Sequence, residues 1–557
     1  MTDKTKKYAV CCSIFVNIFF LTICLVFGIH RFGAADDYFM ARILEGVYGN
    51  EYNIHLVFVN VLYGYVLLPL YHLFPKIGWY YIGELFLVFL ALNTITYVVI
   101  RRIGLRWGSI VSMLLVAAFA TDYYLVVQFT YCGIILTAAG MLAVVESLRD
   151  VKRQFCLMVW GVVLMLLGAI LRWHSFWMGT PLFAIVLLLE YKSIWANKKI
   201  VVLVAIACWG SLFALKNFDE AHYKEIGYQQ YKVFNGIRAL FVDSRHFNDR
   251  AVYEDLEEIG LSGRDYTILK HWVFYDKSVF STDSLRVLNQ TLQKHKNEIG
   301  WREIPSLQLR ALTQISNSPV LWIWFTLCAL ILFSNRGRSV YPVLSLSVIL
   351  ALSFYMILLN RTTYHVVNGF WVYATVLGIL YIGRMPNINK KVSVGIMLAI
   401  AMANIWIYYD DANKIREPVD GRVEKIDENE NAASYERLWE YIDHSPDSSV
   451  FLVTLDDYIT LSYYRKPPYL AEPMGSWKKV IPMGYWNVLF PDVEKTLREK
   501  GIENPLQDAV KEYVYVINER ALTDFLERHY YEHVYREVIG DFDGILIYKY
   551  ATEAFKR

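Results

Sequence analysis

Two adjacent acids follow the first apolar stretch of the chain, in Phe32-Gly-Ala-Ala-Asp36-Asp37-Tyr38-Phe39-Met40-Ala41-Arg42. Ionisable groups at the edge of an apolar segment are costly and usually have partners or a role. One of them could simply cap a helix beginning at Tyr38, a contribution of about 0.3–1 kcal/mol. A cap needs one acid, so at least one of the pair is expected to be functional. A further acid, Asp122, stands in Thr121-Asp122-Tyr123-Tyr124 and taken alone reads as a cap or a solvated loop residue. Two such loops converging on one face would supply a general base together with a metal ligand or an acceptor-orienting group. Group transfer to a hydroxyl needs that base, whereas a phosphate leaving group needs a cation rather than a proton donor. The cations at hand are Arg42, Lys76, Arg172, His174, Arg361 and His365. Each alone reads as a headgroup anchor or a snorkelling side chain, and as a set they would line an anion pocket.

The elements that must position these residues are membrane spans. Of 557 residues, 55% are hydrophobic and 19% charged, and the mean hydropathy is +0.30. With the apolar residues gathered in long blocks, that balance describes an integral membrane protein. Net charge is +2, so no broad basic field points to nucleic acid. The opening MTDKTKKYAV and the apolar run to about Gly28 are expected to form a retained first span. Further runs of spanning length lie near 78–100, 108–121, 131–147, 155–171, 175–190, 199–215, 319–334, 339–359, 366–383 and 391–409, about eleven in all.

Basic connections at Arg101-Arg102…Arg106, Arg149…Lys152-Arg153, Lys192…Lys198-Lys199, Arg336…Arg338 and Arg384…Lys390-Lys391 alternate correctly if all face the cytoplasm. Counting Asn53 to Phe74 as a crossing would invert them, so this run is read as a re-entrant or interfacial helix, the alternative being a true span with one anomalous basic loop. The N-terminus is then inside, the C-terminus outside, and three regions lie outside: 31–77, 216–318 and 410–557. The middle one ends in WREIPSLQLRALTQISNS, spaced as a surface-lying helix. The last alternates helix-like pieces (Ala432–His444, Asp492–Lys500, Ala521–Tyr530) with strand-like ones (Ser449–Leu455, Tyr513–Ile517, Gly544–Tyr548), which fits a small α/β domain. The division is a transmembrane domain over 1–409, carrying the loops 31–77 and 216–318, and an extracytoplasmic α/β domain over 410–557.

No zinc-ligand spacing, P-loop, GxGxxG turn or GxSxG elbow occurs. Nucleotide sugars are confined to the cytosol, so carboxylates outside the membrane need a donor that arrives on a lipid. Trp79, Trp173, Trp177, Trp272 and Trp371 offer sugar-stacking faces, although interface belts account for most such residues.

With its first span, acidic pair, interfacial helix, span ending in Arg101-Arg102-Ile-Gly and second acidic loop at Asp122, the chain resembles the C-type (GT-C) superfamily of polytopic membrane glycosyltransferases, and most of all its uncharacterised bacterial members. The likeness is architectural over about residues 1–380 and motif-specific near 31–45 and 121–124. It implies an inverting, hexosyltransferase-like enzyme of a bacterial plasma membrane. Such an enzyme moves a sugar from a polyprenyl-phosphate-linked donor to an envelope glycan, lipid or polymer. Asp36 or Asp37 would then be the base, Asp122 the auxiliary acid and Arg42 a ligand of the lipid phosphate. A divalent cation is compatible with this set and not required by it. No WWDYG-like motif is present, which disfavours transfer to peptide asparagine. A transporter or flippase of a lipid-linked glycan, or a non-catalytic envelope scaffold, are the competing readings. Repeats and mid-membrane charges would favour the transporter, and dispensable acids the scaffold.

Overall fold

A computed structural model of the protein describes residues 3–240, 249–295, 300–316, 318–334, 340–359, 363–383, 389–412, 416–419, 422–425, 430–519 and 521–554. The chain opens with α1 (Asp3–Phe27), a short α2 (Ala35–Leu44) and α3 (Val61–Leu73). A run of apolar helices follows: α4 (Trp79–Ile103), α5 (Leu105–Ala120), α6 (Phe129–Ser147), α7 (Val151–Leu171), α8 (Trp173–Leu189), the six-residue α9 (Tyr191–Ala196) and α10 (Lys198–His222). A more polar stretch carries α11 (Tyr228–Arg238), α12 (Asp249–Glu258), α13 (Gly263–Lys270), α14 (Thr282–Lys294) and α15 (Ile304–Ser316). Four apolar helices close this part: α16 (Pro319–Ser334), α17 (Val340–Leu358), α18 (Tyr364–Gly378) and α19 (Lys390–Ala412).

Each of the eleven expected spans falls on a helix. Among the described residues eight helices are long and apolar enough to cross a bilayer, or nine if α15 and α16, bent by 95° at their junction, count as one broken span. Two expected spans fall on helices shorter than the roughly 20 residues of a full crossing: α8 has 17 residues and α18 has 15. For α18 the reason is packing, since Val367 to Gly378 are buried inside the helical bundle and need not match a bilayer's thickness. The questioned segment 53–74 contains only the 13-residue α3, about 20 Å long and so short of the roughly 30 Å of hydrocarbon. Its N-terminus is pinned to the end of α10, where the Val61 amide donates to Asp219 (2.9 Å) and Asn60 Nδ2 to the Leu215 carbonyl (2.9 Å).

Small residues let the central helices touch. A Cβ on Gly140 of α6 would stand 2.4 Å from the Gly161 carbonyl of α7, and one on Gly161 would stand 2.7 Å from the Gly140 carbonyl. Backbone-to-backbone approach of this kind is how apolar helices gain packing where lipid offers no hydrophobic drive.

At one end of the bundle the basic connections gather. Arg102 Nε donates to Glu146 (2.8 Å), Arg101 lies 3.5 Å from the same carboxylate, and Arg149 bridges Glu190 (2.9 Å). Arg102 and Arg149 also both donate to the Leu380 carbonyl. About twenty helical residues of α4 separate these arginines from Tyr80, roughly 30 Å along the axis. The acids stand at that other end, beside Tyr80. There two-residue strands β1 (Arg31–Phe32) and β2 (Val126–Val127) pair in parallel, Arg31 with Val126 and Phe32 with Val127. The first acidic loop is thereby joined to the second.

After α19 come a hairpin, β3 (Arg416–Val419) with β4 (Arg422–Lys425), and then α20 (Glu430–His444), β5 (Val450–Val453), α21 (Leu455–Arg465), β6 (Val480–Pro482), α22 (Pro491–Glu499), β7 (Val514–Ile517), α23 (Leu522–His529), β8 (Tyr535–Phe542) and β9 (Ile545–Ala551). The five-stranded sheet has the order β6-β5-β7-β9-β8, with β6, β5 and β7 parallel and β9 antiparallel to both neighbours. This α/β unit sits on the acid end of the bundle. Gly475 and Trp477 donate their amides to the Gly46 and Val47 carbonyls (both 3.1 Å), and the Tyr48 and Tyr458 hydroxyls bond at 2.7 Å.

Candidate active site

Asp36 and Asp37 occupy the first turn of α2, whose N-cap Ala34 has no side chain to offer the helix. Neither acid caps α2 itself. Instead they point in different directions, because consecutive helical positions are about 100° apart. Asp37 is wholly enclosed, and its Oδ1 accepts from the Phe129 amide (3.0 Å), which opens α6, and from the Tyr80 hydroxyl (3.2 Å) of α4. One carboxyl thus ties α2 to the starts of two central helices. Among the described residues its Oδ2 is buried without a hydrogen-bond partner. Burial pushes the Asp37 carboxyl well above the usual carboxylate range, and neighbouring Asp36 adds to this. The Phe129 and Tyr80 bonds and the Arg172 charge act in the opposite sense without overcoming it.

Asp36 is half-buried and faces the α/β domain. Its Oδ1 accepts from the Tyr485 hydroxyl (2.6 Å) and from Trp486 Nε1 (2.9 Å). Around it aromatic rings and two guanidinium groups assemble from four parts of the chain. The Trp486 indole meets Phe58 edge-on at 4.5 Å, and Phe58 stacks on Phe129 at 5.6 Å. Arg172, between α7 and α8, holds its guanidinium 5.2 Å from the Phe58 ring and 5.0 Å from the Phe129 ring. Arg238, at the end of α11, lies 4.1 Å from Trp486 and 4.7 Å from Trp272. An acid, two cations and several ring faces therefore share one neighbourhood where the helical bundle, the middle polar region and the α/β domain converge.

The other expected site residues scatter. Asp122 lies in a single π-helical turn, Thr121–Leu125, and is half-buried. The β1–β2 pairing brings its loop against the first one, yet among the described residues its carboxylate has no hydrogen bond to the acidic pair. His365 opens α18 close enough to Arg172 to feel its charge. His174 and Lys76 are exposed. Arg361 lies outside the described residues.

Expected as a ligand of a lipid phosphate, Arg42 is 3% exposed and its charge is already matched: Nη1 donates to Glu45 (2.9 Å) and Nη2 stands 3.7 Å from Glu472 of the α/β domain. Its guanidinium lies 5.5 Å from the Trp477 ring. Glu472 also meets Arg465 (3.1 Å) and Lys466 (3.5 Å), and its amide donates to Glu45 (3.1 Å). Burial pushes Glu45 up to about 7 in spite of Arg42. This is a buried ionic clasp joining α2 to the α/β domain, and a lipid phosphate would have to displace a carboxylate to use it.

No family model matches the chain, and no curated protein matches it. Two solved structures of ArnT from Cupriavidus metallidurans are similar over almost the full length. The one bound to undecaprenyl phosphate covers 97% of both chains at 11% identity and a TM-score of 0.39. The apo form aligns over 95% of this chain and 97% of its own, at 11% identity and a TM-score of 0.43. Similarity at that level carries no inference about chemistry.

Several residues of the site were not singled out from sequence: Tyr485, Trp486, Arg238, Phe58 and Phe129. Glu84 also escaped notice. It is fully buried in α4 beside Asp37 and Tyr80. A lone acid inside an apolar helical run is itself a signal, and Glu84 carries it. Among the described residues no group of three or more His, Cys, Asp or Glu side chains is arranged to hold a metal ion.

Proposed function

We propose that the protein is a membrane glycosyltransferase of the C-type class. It moves a sugar from a polyprenyl-phosphate-linked donor to a hydroxyl of an extracytoplasmic envelope glycan, lipid or polymer, with inversion. One observation carries this reading: two adjacent acids have different settings, one sealed and one open, beside the Arg172 guanidinium, which lies over the Phe58 and Phe129 rings. Asp36 is the base. It is the acid that reaches the junction with the α/β domain, and its hydrogen-bond donors favour the charged form. Asp37 is enclosed, and burial disfavours its charged form, so it organises the site without taking part in proton transfer.

In the proposed step Asp36 accepts the proton of the acceptor hydroxyl as that oxygen bonds to the anomeric carbon. The bond from the anomeric carbon to the phosphate oxygen breaks on the opposite face, and the electron pair leaves on polyprenyl phosphate. A single displacement of this kind inverts the anomeric centre. The leaving phosphate needs positive charge near the bilayer boundary, and Arg172, at the start of α8 and close to Asp37, is the cation placed to supply it. The positive-inside bias supports an outward-facing acid end, since the arginine-rich connections collect at the other. The C-terminal domain is accordingly extracytoplasmic and the N-terminus cytoplasmic in a bacterial plasma membrane.

The test is release of free polyprenyl phosphate from a panel of polyprenyl-phosphate pentoses and hexoses by the purified protein with envelope extract as acceptor. Wild type is expected to release it and Asp36→Asn to do so at least 10³-fold more slowly while folding normally. Equal release by both proteins, or none by wild type across the panel, refutes the reading.

A further inference from the structure

We propose that Tyr485 and Trp486 of the α/β domain are positioning residues for Asp36, so that the reaction centre is completed by a strained loop of the domain seated on the bundle. This inference rests on the proposed role of Asp36 as base. Both donors converge on the same oxygen, at 2.6 and 2.9 Å, from adjacent residues. Adjacent side chains in an extended strand point to opposite faces, so ordinary backbone would not bring two of them to one atom. Here it is achieved with Tyr485 at φ +105°, a conformation rare for a bulky residue. Backbone strain of this kind persists only where the surroundings enforce it, and it concentrates at functional sites.

The surroundings do enforce it. The Met483 amide donates to the Val453 carbonyl of β5 (2.8 Å), while the Met483 carbonyl accepts from both Phe274 (2.9 Å) and Tyr275 (2.6 Å). Gly484 passes so close to Trp272 that a Cβ would stand 2.0 Å from its carbonyl oxygen. Trp272 is itself at φ +63°, and its ring packs 5.7 Å from that of Tyr485. On the far side Asn487 Nδ2 closes the loop on the Pro482 carbonyl (2.8 Å). The Trp486 indole is held between the Arg238 guanidinium at 4.1 Å and the Phe58 ring at 4.5 Å, so its N–H stays aimed at Asp36. Three separate regions of the chain therefore cooperate to fix two donors on one carboxylate. A purely structural contact between domains needs no such arrangement, as the plain Tyr48–Tyr458 hydroxyl pair beside it shows.

The consequence is a base held in one orientation by two hydrogen bonds that favour its charged form. Removing either donor raises the pH at which Asp36 gives up its proton, with about one pH unit for each tenfold loss of anion stabilisation. The experiment measures sugar transfer against pH for full-length Tyr485→Phe and Trp486→Phe, which keep the rings and lose only the donors. Each is expected to lower kcat at pH 7 by about 10-fold and to move the acid limb of the profile up by about one unit, with the donor KM within threefold of wild type. Tyr458→Phe, which removes a buried bond between the same two domains, should leave the limb in place. Site-specific 3-fluorotyrosine at 485, a stronger donor with undiminished shape, should move the limb down. The proposal is overturned if the acid limb stays fixed in all of these proteins, or if Tyr458→Phe moves it equally. Activity retained by Asp36→Asn would instead remove the assignment of the base, and this proposal with it.

Discussion

Replacing Arg42 by methionine separates a structural clasp from a ligand-binding cation. The guanidinium is enclosed, bonded to Glu45 at 2.9 Å and 3.7 Å from Glu472. Taking one member from a buried ion pair costs about 3–5 kcal/mol, because the remaining charge has no water to return to. Glu472 keeps Arg465 and Lys466, so the loss falls on Glu45. Glu45 stands near 7 with Arg42 present, and it will take up a proton once Arg42 is gone. That places the cost at the lower end of the range, about 3 kcal/mol at pH 8, and makes it pH-dependent. Below pH 6 Glu45 is protonated in wild type and variant alike, so the difference between them shrinks as pH falls. Thermal unfolding in detergent, followed by tryptophan fluorescence with Trp477 beside the guanidinium, should show Arg42→Met melting several degrees below wild type at pH 8 and less at pH 5.5. Adding Glu45→Gln should recover part of the loss. An unchanged melting temperature combined with weakened binding of undecaprenyl phosphate would refute the clasp and restore Arg42 as a phosphate ligand.

Asp37→Asn keeps an oxygen able to accept from Phe129 and Tyr80 and removes a charge that burial already disfavours, so transfer should stay within about tenfold of wild type. Asp37→Ala loses both bonds and should destabilise by about 1–3 kcal/mol, measured by the same melting assay. Burial holds His55 down at about 4, where it stacks on Tyr228 at 3.6 Å. Because its folded value lies below the unfolded 6.5, its neutral form stabilises the contact above pH 6.5 and that stability is lost as pH falls toward 4. Hydrogen exchange at 53–60 and 223–228 should accelerate over that window in wild type and not in His55→Asn. Gly140→Val has no room beside the Gly161 carbonyl, and it should lower stability by at least 2 kcal/mol, whereas the same change at Gly210, which has open space around it, should be tolerated.

Hydropathy made the bundle legible because a span is a local property: about twenty apolar residues declare themselves. Charge parity set 53–74 apart from the other apolar runs, and its helix α3 has only 13 residues. The α/β domain was readable where periodicity was clear, as at Glu430–His444 and Val514–Ile517. The helix Leu455–Arg465 and the strand Tyr535–Phe542 were missed. The first has acids in its opening turn and little apolar periodicity, and the second exposes most of its side chains. The acids themselves were found from their place after the first span. Their partners were not, since Tyr485 and Trp486 lie some 450 positions away along the chain. The ion pairs of Arg42 were only half legible for the same reason. Its near partner Glu45 was visible at the i,i+3 spacing, but Glu472 was not, and a cation with one visible neighbour reads as available when its second is remote.

The most direct measurement is a density map of the protein in nanodiscs containing undecaprenyl phosphate. The account predicts phosphate density against Arg172, at the bundle end that carries Asp36 and on the side facing the Phe58 and Phe129 rings. Phosphate bound instead among Arg101, Arg102 and Arg149, or displacing Glu45 from Arg42, would contradict it.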